Sequence, residues 1–289
     1  PKQLITDYPF DNNYLDSGTS KVHSVLKDNA GNLWIAIYQK GVMMIPAQPN
    51  SFKYIGYKSI NKNIIGSNCI TSLCRDHEGI LWIGTDNDGI YGITTELKQK
   101  VHYAPHDSPS SVPSTVFGLY EDSEHNLWFG SYTNGLGRLD KKTGQCSYLQ
   151  NLTDKNGNRI QRVYDLVEDQ DKRLWIATMG AGLFYYDLKT GQSVYDPKFN
   201  AATKKYKWIS CLLYAGDNHL YVGTYDGIRC IDLSTDDFKT EEILSRHIIH
   251  SLYEDPQGNI WIGNSEGLAE WNPQTQQLKT YTTAHGLSS

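Results

Sequence analysis

The chain has 289 residues, of which 39% are hydrophobic and 20% charged, a composition typical of a globular protein rather than a disordered one. Its formal net charge is −5 with both signs interspersed, so it lacks the basic patch that marks a nucleic-acid-binding surface. No run of about 18 apolar residues is present, so the sequence predicts no membrane-spanning helix. The abundance of aromatic residues, with 20 Tyr and 7 Trp, favours β-strands.

The strongest signal is an internal repeat anchored on a Leu-Trp dipeptide or its equivalent. The anchor residues follow one another at intervals of 48, 46, 47, 46 and 40 residues: Trp34, Trp82, Trp128, Trp175, Tyr221 and Trp261. Two positions after each anchor stands Gly or Ala, and a further Gly follows in every copy. Periods of this length are typical of solenoids and propellers. The repeats occupy approximately residues 20–57, 68–104, 115–150, 161–197, 208–242 and 248–283.

Each copy also predicts a hairpin whose second strand contains the anchor. An Asp stands six residues before the anchor in five copies, at positions 28, 76, 122, 169 and 255, and Ala215 replaces it in the fifth copy. The residue three positions after this Asp is Gly in three copies; the others have His125, Lys172 and Asn218. Asp followed by Gly at this distance favours a type I turn, because the carboxylate accepts hydrogen bonds from turn amides and Gly tolerates the exit geometry.

The rest of the copy predicts two further strands. The shared Gly closes a second hairpin, and alternating residues such as Val101 and Tyr103, or Phe52 and Tyr54, mark a fourth strand. The continuous Leu-Trp-Ile run predicts a strand buried on both faces. A radial stack of four-stranded blades satisfies this requirement, because two neighbours cover each blade. We therefore predict an all-β fold, a β-propeller of four-stranded antiparallel blades with six repeats in this chain.

The ends of the chain affect the expected number of blades. Segment 1–15 contains Leu-Ile-Thr-Asp-Tyr, which fits a stray fourth strand. The last residues of the chain include His285-Gly286-Leu287-Ser288, which fits the segment that leads into another repeat. We expect the N-terminal strand to complete a seventh blade in the intact protein, with its other strands beyond Ser289; if the chain instead closes on itself, the ring has six blades. Residues 1–289 would then form one propeller domain.

The repeat resembles the two-component regulator propeller repeat. The resemblance rests on the segments Asp-Asn-Ala-Gly-Asn-Leu-Trp34-Ile, Asp-His-Glu-Gly-Ile-Leu-Trp82-Ile-Gly-Thr and Asp255-Pro-Gln-Gly-Asn-Ile-Trp261-Ile-Gly-Asn, and on the lead-in before Ser289. It covers nearly the whole chain. The fourth and fifth copies depart most, with Lys172 in place of the turn Gly and Tyr221 in place of Trp.

This resemblance implies the periplasmic sensor region of a hybrid two-component histidine kinase that regulates polysaccharide utilisation. Such sensors carry two propellers, a small β-sandwich domain, one transmembrane helix and a cytoplasmic kinase, and they respond to oligosaccharides. The implied partners are an oligosaccharide or another small-molecule ligand, the second propeller and β-sandwich domain of the same parent chain, and a second copy in a homodimer. The resemblance implies no nucleic acid as a partner of this domain.

The predicted ligand-binding face is the one where turns between second and third strands meet the connections between blades. Aromatic and polar loop residues there suit a sugar, because rings cover its C–H faces and bidentate polar groups bind its hydroxyls. The predicted residues are Tyr38, Asp86, Asn87, Tyr132, Asn134, Arg162, Trp208, Tyr225, Arg246 and His247. The alternative is that they are ordinary solvated turn residues. Trp208 could equally be a first-strand core residue, because Ile209 and Leu212 follow it.

The sequence predicts no catalytic residues, no cofactor and no metal site. Most acidic residues occupy the repeated turn positions, and no phosphate loop, nucleophile elbow or HExxH motif occurs. His247 and His250 would face opposite sides of a strand, which does not provide the ligands a metal needs. Two alternatives to ligand sensing remain open: a propeller enzyme such as a streptogramin-lyase-like lyase, and a scaffold for interaction or dimerisation. A transmembrane helix and a kinase domain further along the parent chain would favour sensing.

Overall fold

The computed structural model describes residues 22–29, 31, 33–37, 41–45, 65–67, 69–94, 98–154, 156–195, 200, 208–216, 218–235 and 238–281. The chain divides into two compact units, residues 1–68 and residues 69–289. The described part of the first unit is a three-stranded antiparallel sheet, sheet 1, of strands β1 (Val22–Lys27), β2 (Leu33–Ile37) and β3 (Gly41–Ile45). The fourth strand predicted near Phe52 and Tyr54 and the strand predicted within residues 1–15 lie outside the described residues. Within the described part of the chain, no helix has the length and apolar character needed to cross a membrane.

The second unit consists of five four-stranded antiparallel sheets, each formed by four strands consecutive in the sequence. Sheet 2 contains β4 (Ile70–Arg75), β5 (Leu81–Thr85), β6 (Ile90–Ile93) and β7 (Gln99–Tyr103). Sheet 3 contains β8 (Val116–Glu121), β9 (Leu127–Ser131), β10 (Leu136–Leu139) and β11 (Cys146–Tyr148). Sheet 4 contains β12 (Val163–Glu168), β13 (Arg173–Thr178), β14 (Leu183–Asp187) and β15 (Gln192–Val194). Sheet 5 contains β16 (Ile209–Ala215), β17 (His219–Thr224), β18 (Gly227–Asp232) and β19 (Thr240–Ser245). Sheet 6 contains β20 (Ile249–Glu254), β21 (Ile260–Asn264), β22 (Gly267–Asn272) and β23 (Gln277–Tyr281). The prediction of an all-β propeller with four-stranded antiparallel blades is confirmed.

The sheets of the second unit pack face to face, so the hydrophobic core lies between them. The first strands β4, β8, β12, β16 and β20 follow one another as neighbours. The core between sheets 3 and 4, for example, joins Trp128 and Leu136 to Val163 and Leu174. A Cβ added at Gly130, two positions after the anchor Trp128, would lie 2.6 Å from the carbonyl oxygen of Val163. The small residue after the anchor is therefore required by the close approach of the next first strand.

The turn between first and second strands is held by a bond between the repeated Asp and the anchor. In sheet 3, Asp122 Oδ2 accepts a hydrogen bond from the indole N–H of Trp128 at 2.7 Å, and Oδ1 accepts the backbone N–H of Asn126 at 2.8 Å. The same indole–carboxylate bond, between 2.7 and 2.9 Å long, joins the pairs Asp28–Trp34, Asp76–Trp82, Asp169–Trp175 and Asp255–Trp261. The two repeated residues, six positions apart, are bonded partners.

The fifth repeat lacks both members of this pair. Ala215 and Tyr221 replace Asp and Trp in sheet 5, and both are 2% exposed. A buried carboxylate without the indole donor would lose a hydrogen bond, and a buried indole without the carboxylate would leave its N–H unsatisfied. The substitutions at positions 215 and 221 therefore depend on each other and count as one coupled change.

The turn geometry is the same in every repeat, including those without Gly. The position occupied by Gly79 (φ 80°) in sheet 2 also has positive φ at His125 (67°), Lys172 (69°) and Asn218 (66°). The amide of His125 donates to the carbonyl of Asp122 at 2.9 Å, as expected for a β-turn. The loss of Gly in these copies leaves the turn intact, at a cost of about 1 kcal/mol for a left-handed non-Gly residue.

We predict that Asp122 and Trp128 are energetically coupled. Asp122→Ala should lower the free energy of unfolding by about 2 kcal/mol, because the buried indole N–H and the turn amides lose their acceptor. The double variant Asp122→Ala/Trp128→Tyr, which reproduces the pair found in sheet 5, should lose about 1–2 kcal/mol less than the sum of the two single variants. Urea unfolding of the four proteins measures this coupling. The exposed Asp107→Ala serves as control and should change little, whereas strictly additive losses at Asp122 and Trp128 would contradict the coupling.

Candidate functional site

In the second unit, the turns between second and third strands lie on the same side as the segments that enter the first strands. The amide of Gly89 donates to the carbonyl of Ser114 at 3.3 Å, and the amide of Gly135 donates to Gln161 at 2.7 Å. These hydrogen bonds fasten a turn of one sheet to the segment entering the next sheet. We call this side the connection face.

Six side chains from sheets 3, 4 and 5 form a continuous set of contacts at the connection face. We call this set the aromatic surface, and its members are Phe117, Tyr132, Arg162, Tyr164, Trp208 and Tyr225. These contacts connect each sheet to the next. The aromatic surface is therefore formed by three sheets together and not by a single blade.

The rings of Phe117 and Tyr164 stack with centroids 4.6 Å apart and an interplanar angle of 16°. Tyr132 meets Phe117 edge-on at 6.0 Å, and the guanidinium carbon of Arg162 lies 4.9 Å from the centroid of the Tyr132 ring. A guanidinium over a ring face at this distance is a cation–π contact. Arg162 is therefore held in place while its N–H groups remain able to donate.

The other end of the aromatic surface is formed by Trp208 and Tyr225, whose ring centroids are 5.5 Å apart. Trp208 is 44% exposed, Tyr225 45% and Tyr132 41%. The side chain of Tyr164 lies close enough to that of Tyr225 for the two to interact electrostatically. Burial raises the pKa of Tyr164, and the neighbouring Tyr225 and Asp86 raise it further, so its hydroxyl stays protonated.

The structure brings together four of the predicted site residues, Tyr132, Arg162, Trp208 and Tyr225, and Asp86 lies close enough to act on Tyr164. The interpretation of Trp208 as a first-strand core residue is wrong, because its ring is half exposed and β16 begins after it, at Ile209. The part these residues would play in binding remains a prediction.

The remaining predicted residues are not members of the aromatic surface. The amide of Asn134 donates to Ser131 Oγ at 2.9 Å, and its carbonyl accepts Arg159 at 2.9 Å, so its contacts are those of a turn. Asn87 is exposed in the turn after β5. Tyr38 lies outside the described residues.

Arg246 and His247 stand together at the entry to sheet 6. Arg246 has a φ of 61°, and its amide donates to the carbonyl of Asp226 at 2.9 Å. His247 Nδ1 is 2.7 Å from the carbonyl oxygen of Ser245, and its Nε2 is 3.4 Å from a carboxylate oxygen of Glu266. These contacts explain both residues as parts of the connection between sheets.

Two members of the aromatic surface, Phe117 and Tyr164, were missed by the sequence reasoning. Each is the second residue of a first strand, where an aromatic residue fits the core as well as a surface. The copies differ at this position, with Thr71, Ser210 and His250 in sheets 2, 5 and 6. Comparing the copies at this strand position would have identified it as one that the repeat does not fix.

Asp165, the neighbour of Tyr164 in β12, connects the two halves of the aromatic surface. Its Oδ2 accepts the backbone N–H of Leu212 in β16 at 2.8 Å, and Oδ1 accepts the N–H of Leu166 at 2.9 Å. Burial raises the pKa of Asp165 to about 6, although both amide bonds oppose this shift. The carboxyl group thus joins the sheet of Tyr164 to the sheet of Trp208 and Tyr225.

Four segments of the chain match the two component regulator propeller family: residues 64–87, 110–133, 153–180 and 243–266. Each matched segment contains a first strand, the Asp turn and the Trp anchor. The fifth repeat, in which Ala215 and Tyr221 replace that pair, is not among them. These four segments are similar to the repeats of that family. A search of curated proteins found no match.

Three of the solved structures similar to this chain are two bacterial extracellular domains and a lyase. The extracellular domain of a protein from B. thetaiotaomicron described as a one component system has 23% identity and a TM-score of 0.65, with 89% of this chain and 36% of that chain covered. The extracellular domain of another B. thetaiotaomicron protein, described as a hybrid two component system, has 19% identity and a TM-score of 0.57, with 92% and 41% covered. A streptogramin B lyase has 18% identity and a TM-score of 0.51, with 86% and 78% covered. These likenesses establish the fold. The chain spans less than half of either extracellular domain.

We predict that Asp165 gives the protein a specific pH dependence. Because the pKa of Asp165 is higher in the folded chain than its ordinary value of 3.8, its contribution to stability is full below pH 3.8 and is lost as the pH rises through about 6. The loss should reach roughly 2–3 kcal/mol near neutral pH. Compared with Asp165→Asn, which does not titrate, the wild-type chain should therefore lose stability as the pH rises over this range.

Urea unfolding of both proteins at several pH values between about 4 and 7 measures this difference. The exposed Asp107→Asn controls for general effects of charge and should show no such trend relative to wild type. A difference between wild type and Asp165→Asn that does not change with pH would contradict the prediction.

Proposed function

We propose that this chain is a ligand-sensing propeller from the extracytoplasmic, periplasmic part of a transmembrane hybrid two-component sensor, and that it binds an oligosaccharide. The observation that carries the proposal is the aromatic surface, where exposed rings and a positioned Arg converge from neighbouring sheets. The repeat family and the two similar bacterial extracellular domains support the signalling context. The parent kinase, its transmembrane helix, the second propeller, the β-sandwich domain and the homodimer belong to this proposal.

The chemistry of the aromatic surface suits a sugar better than a purely apolar ligand. Trp208 and Tyr225 offer exposed ring faces for the C–H side of a pyranose. Arg162, fixed over Tyr132, and the protonated hydroxyl of Tyr164 offer hydrogen bonds to hydroxyl groups. Asp86, next to Tyr164, supplies a carboxylate acceptor. The rings are already packed against each other, so binding would order few additional side chains.

The same surface gives little support to a lyase or hydrolase. None of its six side chains is a carboxylate or an imidazole, and Asp86 beside Tyr164 is a single carboxylate, so the surface offers no pair of carboxylates or imidazoles for general acid–base catalysis. Similarity to a streptogramin B lyase extends to the fold alone at 18% identity. The geometry therefore favours binding over catalysis.

We predict that Trp208→Ala weakens oligosaccharide binding by about tenfold or more, because removing an aromatic platform costs roughly 1.5 kcal/mol of apolar contact. Calorimetric titration with a panel of oligosaccharides identifies the ligand and then compares the variants. Arg162→Gln should weaken binding as well, by removing the donors of the guanidinium. Tyr195→Ala is the matched control, because Tyr195 is a 37% exposed aromatic residue that contacts Phe184 outside the aromatic surface.

Two results would contradict different parts of the proposal. Binding that is unchanged in both Trp208→Ala and Arg162→Gln would show that the sugar site lies away from the aromatic surface. If no oligosaccharide of the panel binds, this chain has no sugar site of its own. Sequencing the parent gene tests the sensor assignment separately, because a transmembrane helix followed by a kinase domain is the expected result.

A further inference from the structure

A second cluster of chemically active side chains lies away from the connection face, where first strands end and the Asp turns begin. His77 stands in the turn of sheet 2, Glu121 ends β8, and His125 stands in the turn of sheet 3. Their potential ligand atoms all lie within 4.8 Å of one another. We call these three residues the His–Glu cluster. It is formed at the junction of two sheets.

The contacts within the His–Glu cluster are close. His77 Nδ1 is 2.9 Å from Glu121 Oε1, and the rings of His77 and His125 stack with centroids 3.7 Å apart. The backbone N–H of His77 donates to Glu121 Oε2 at 2.6 Å, which fixes the carboxylate. Both imidazoles are exposed, and the Glu121 side chain is 9% exposed. The carboxylate is thus rigid, while the imidazoles have room to reorient.

Glu121 already binds one cation, Lys141, and this cation has a second partner. Lys141 Nζ is 2.7 Å from Glu121 Oε1 and 3.4 Å from Asp76 Oδ2. Lys141 can therefore keep its bond to Asp76 if Glu121 Oε1 binds another cation.

The next junction, between sheets 3 and 4, has the same construction with different side chains. Ser123 occupies the position of His77, Glu168 that of Glu121, and Lys172 that of His125. The amide of Ser123 donates to Glu168 Oε2 at 2.7 Å, and Lys172 Nζ is 3.4 Å from Glu168 Oε1. Here the ammonium group of Lys172 supplies the cation at the glutamate. At the junction of sheets 2 and 3, imidazoles occupy the two positions that surround the carboxylate.

We propose that the His–Glu cluster binds a divalent transition metal ion, with Zn²⁺ the best match. Two imidazole nitrogens and one carboxylate oxygen form a three-residue Zn²⁺ ligand set that leaves a fourth position for water or an external donor. Ligand atoms about 2.0–2.2 Å from Zn²⁺ lie roughly 3–3.5 Å apart, so the imidazoles must approach by about 1 Å. Rotation of two exposed His side chains provides this movement. The ion would join sheet 2 to sheet 3.

The experiment is calorimetric titration of the metal-free, untagged chain with ZnCl₂, together with titration by Co²⁺ followed by its visible absorption. We expect one ion per chain with a dissociation constant of about 10 μM or tighter, and a tetrahedral Co²⁺ spectrum. The binding should also raise the melting temperature of the chain, because the ion binds only the folded junction.

The key variant is His77→Ser/His125→Lys, which gives this junction the Ser and Lys found between sheets 3 and 4, while Lys141 stays beside Glu121. It should fold with nearly unchanged melting temperature in the absence of metal, because the same two residue types occupy these turn positions at the next junction. Its Zn²⁺ affinity should fall at least about a hundredfold, since two of three ligands are gone. His125→Ala alone, at an exposed position, gives the same test if the double variant folds poorly. His250→Ala, which removes an exposed His of sheet 6, should bind like the wild type.

Three outcomes would overturn the proposal. These are the absence of saturable Zn²⁺ binding, binding that survives both His125→Ala and the double variant, and binding that is lost in His250→Ala. In each case the His–Glu cluster would be an ion pair and ring contact that fasten two sheets without metal.

Discussion

The hydrogen bond between the turn Asp and the anchor Trp is the interaction on which the rest of the structure depends. A Trp in a closely packed sheet must bury its N–H, and a buried donor without an acceptor costs about 1–3 kcal/mol. The Asp six positions earlier supplies that acceptor and uses its other oxygen for the turn amides, as Asp122 does. One carboxylate therefore fixes the turn, the register of the first two strands and the orientation of the largest core side chain. Repeat five shows that the two partners depend on each other, because Ala215 and Tyr221 replace both together.

This arrangement leaves only certain positions free to vary. Turn acids, anchors and the small residues that face the next first strand are fully used by folding, which explains their recurrence without reference to function. Among the positions that the copies do not share are those at the two ends of the first strands. At one end these positions hold Phe117 and Tyr164; at the other they hold His77 and His125. The two proposed sites therefore use positions at which the residue type differs between the copies.

Much of the fold could be predicted from the sequence, because its determinants are local and repeated. The period, the Asp turns and the apolar run around each anchor indicate four strands without knowledge of long-range contacts. The two proposed sites were harder to predict, because they depend on contacts between residues of different copies. From the sequence alone, Phe117 fits a core position. Only its contact with Tyr164 of the neighbouring sheet shows that it belongs to the aromatic surface. His77 and Glu121 are 44 positions apart in separate copies, so no spacing rule connects them. Trp208 was ambiguous because the residue before a strand and the first residue of a strand look alike in sequence.

The positions of the two proposed sites allow binding at one site to affect the other through the fold. Phe117 and Glu121 belong to the same strand, β8, about 13 Å apart at the usual rise per residue. Within a sheet, the ladder of hydrogen bonds resists distortion, whereas the core lies between sheets and is formed by side chains alone. A ligand that contacts sheets 3, 4 and 5 at the aromatic surface would therefore act on the angles between sheets. An ion at the junction of sheets 2 and 3 would constrain the adjacent angle, and sheet 3 is common to both sites. If both sites are occupied as proposed, their affinities must be linked reciprocally to the extent that sheet 3 couples these neighbouring angles.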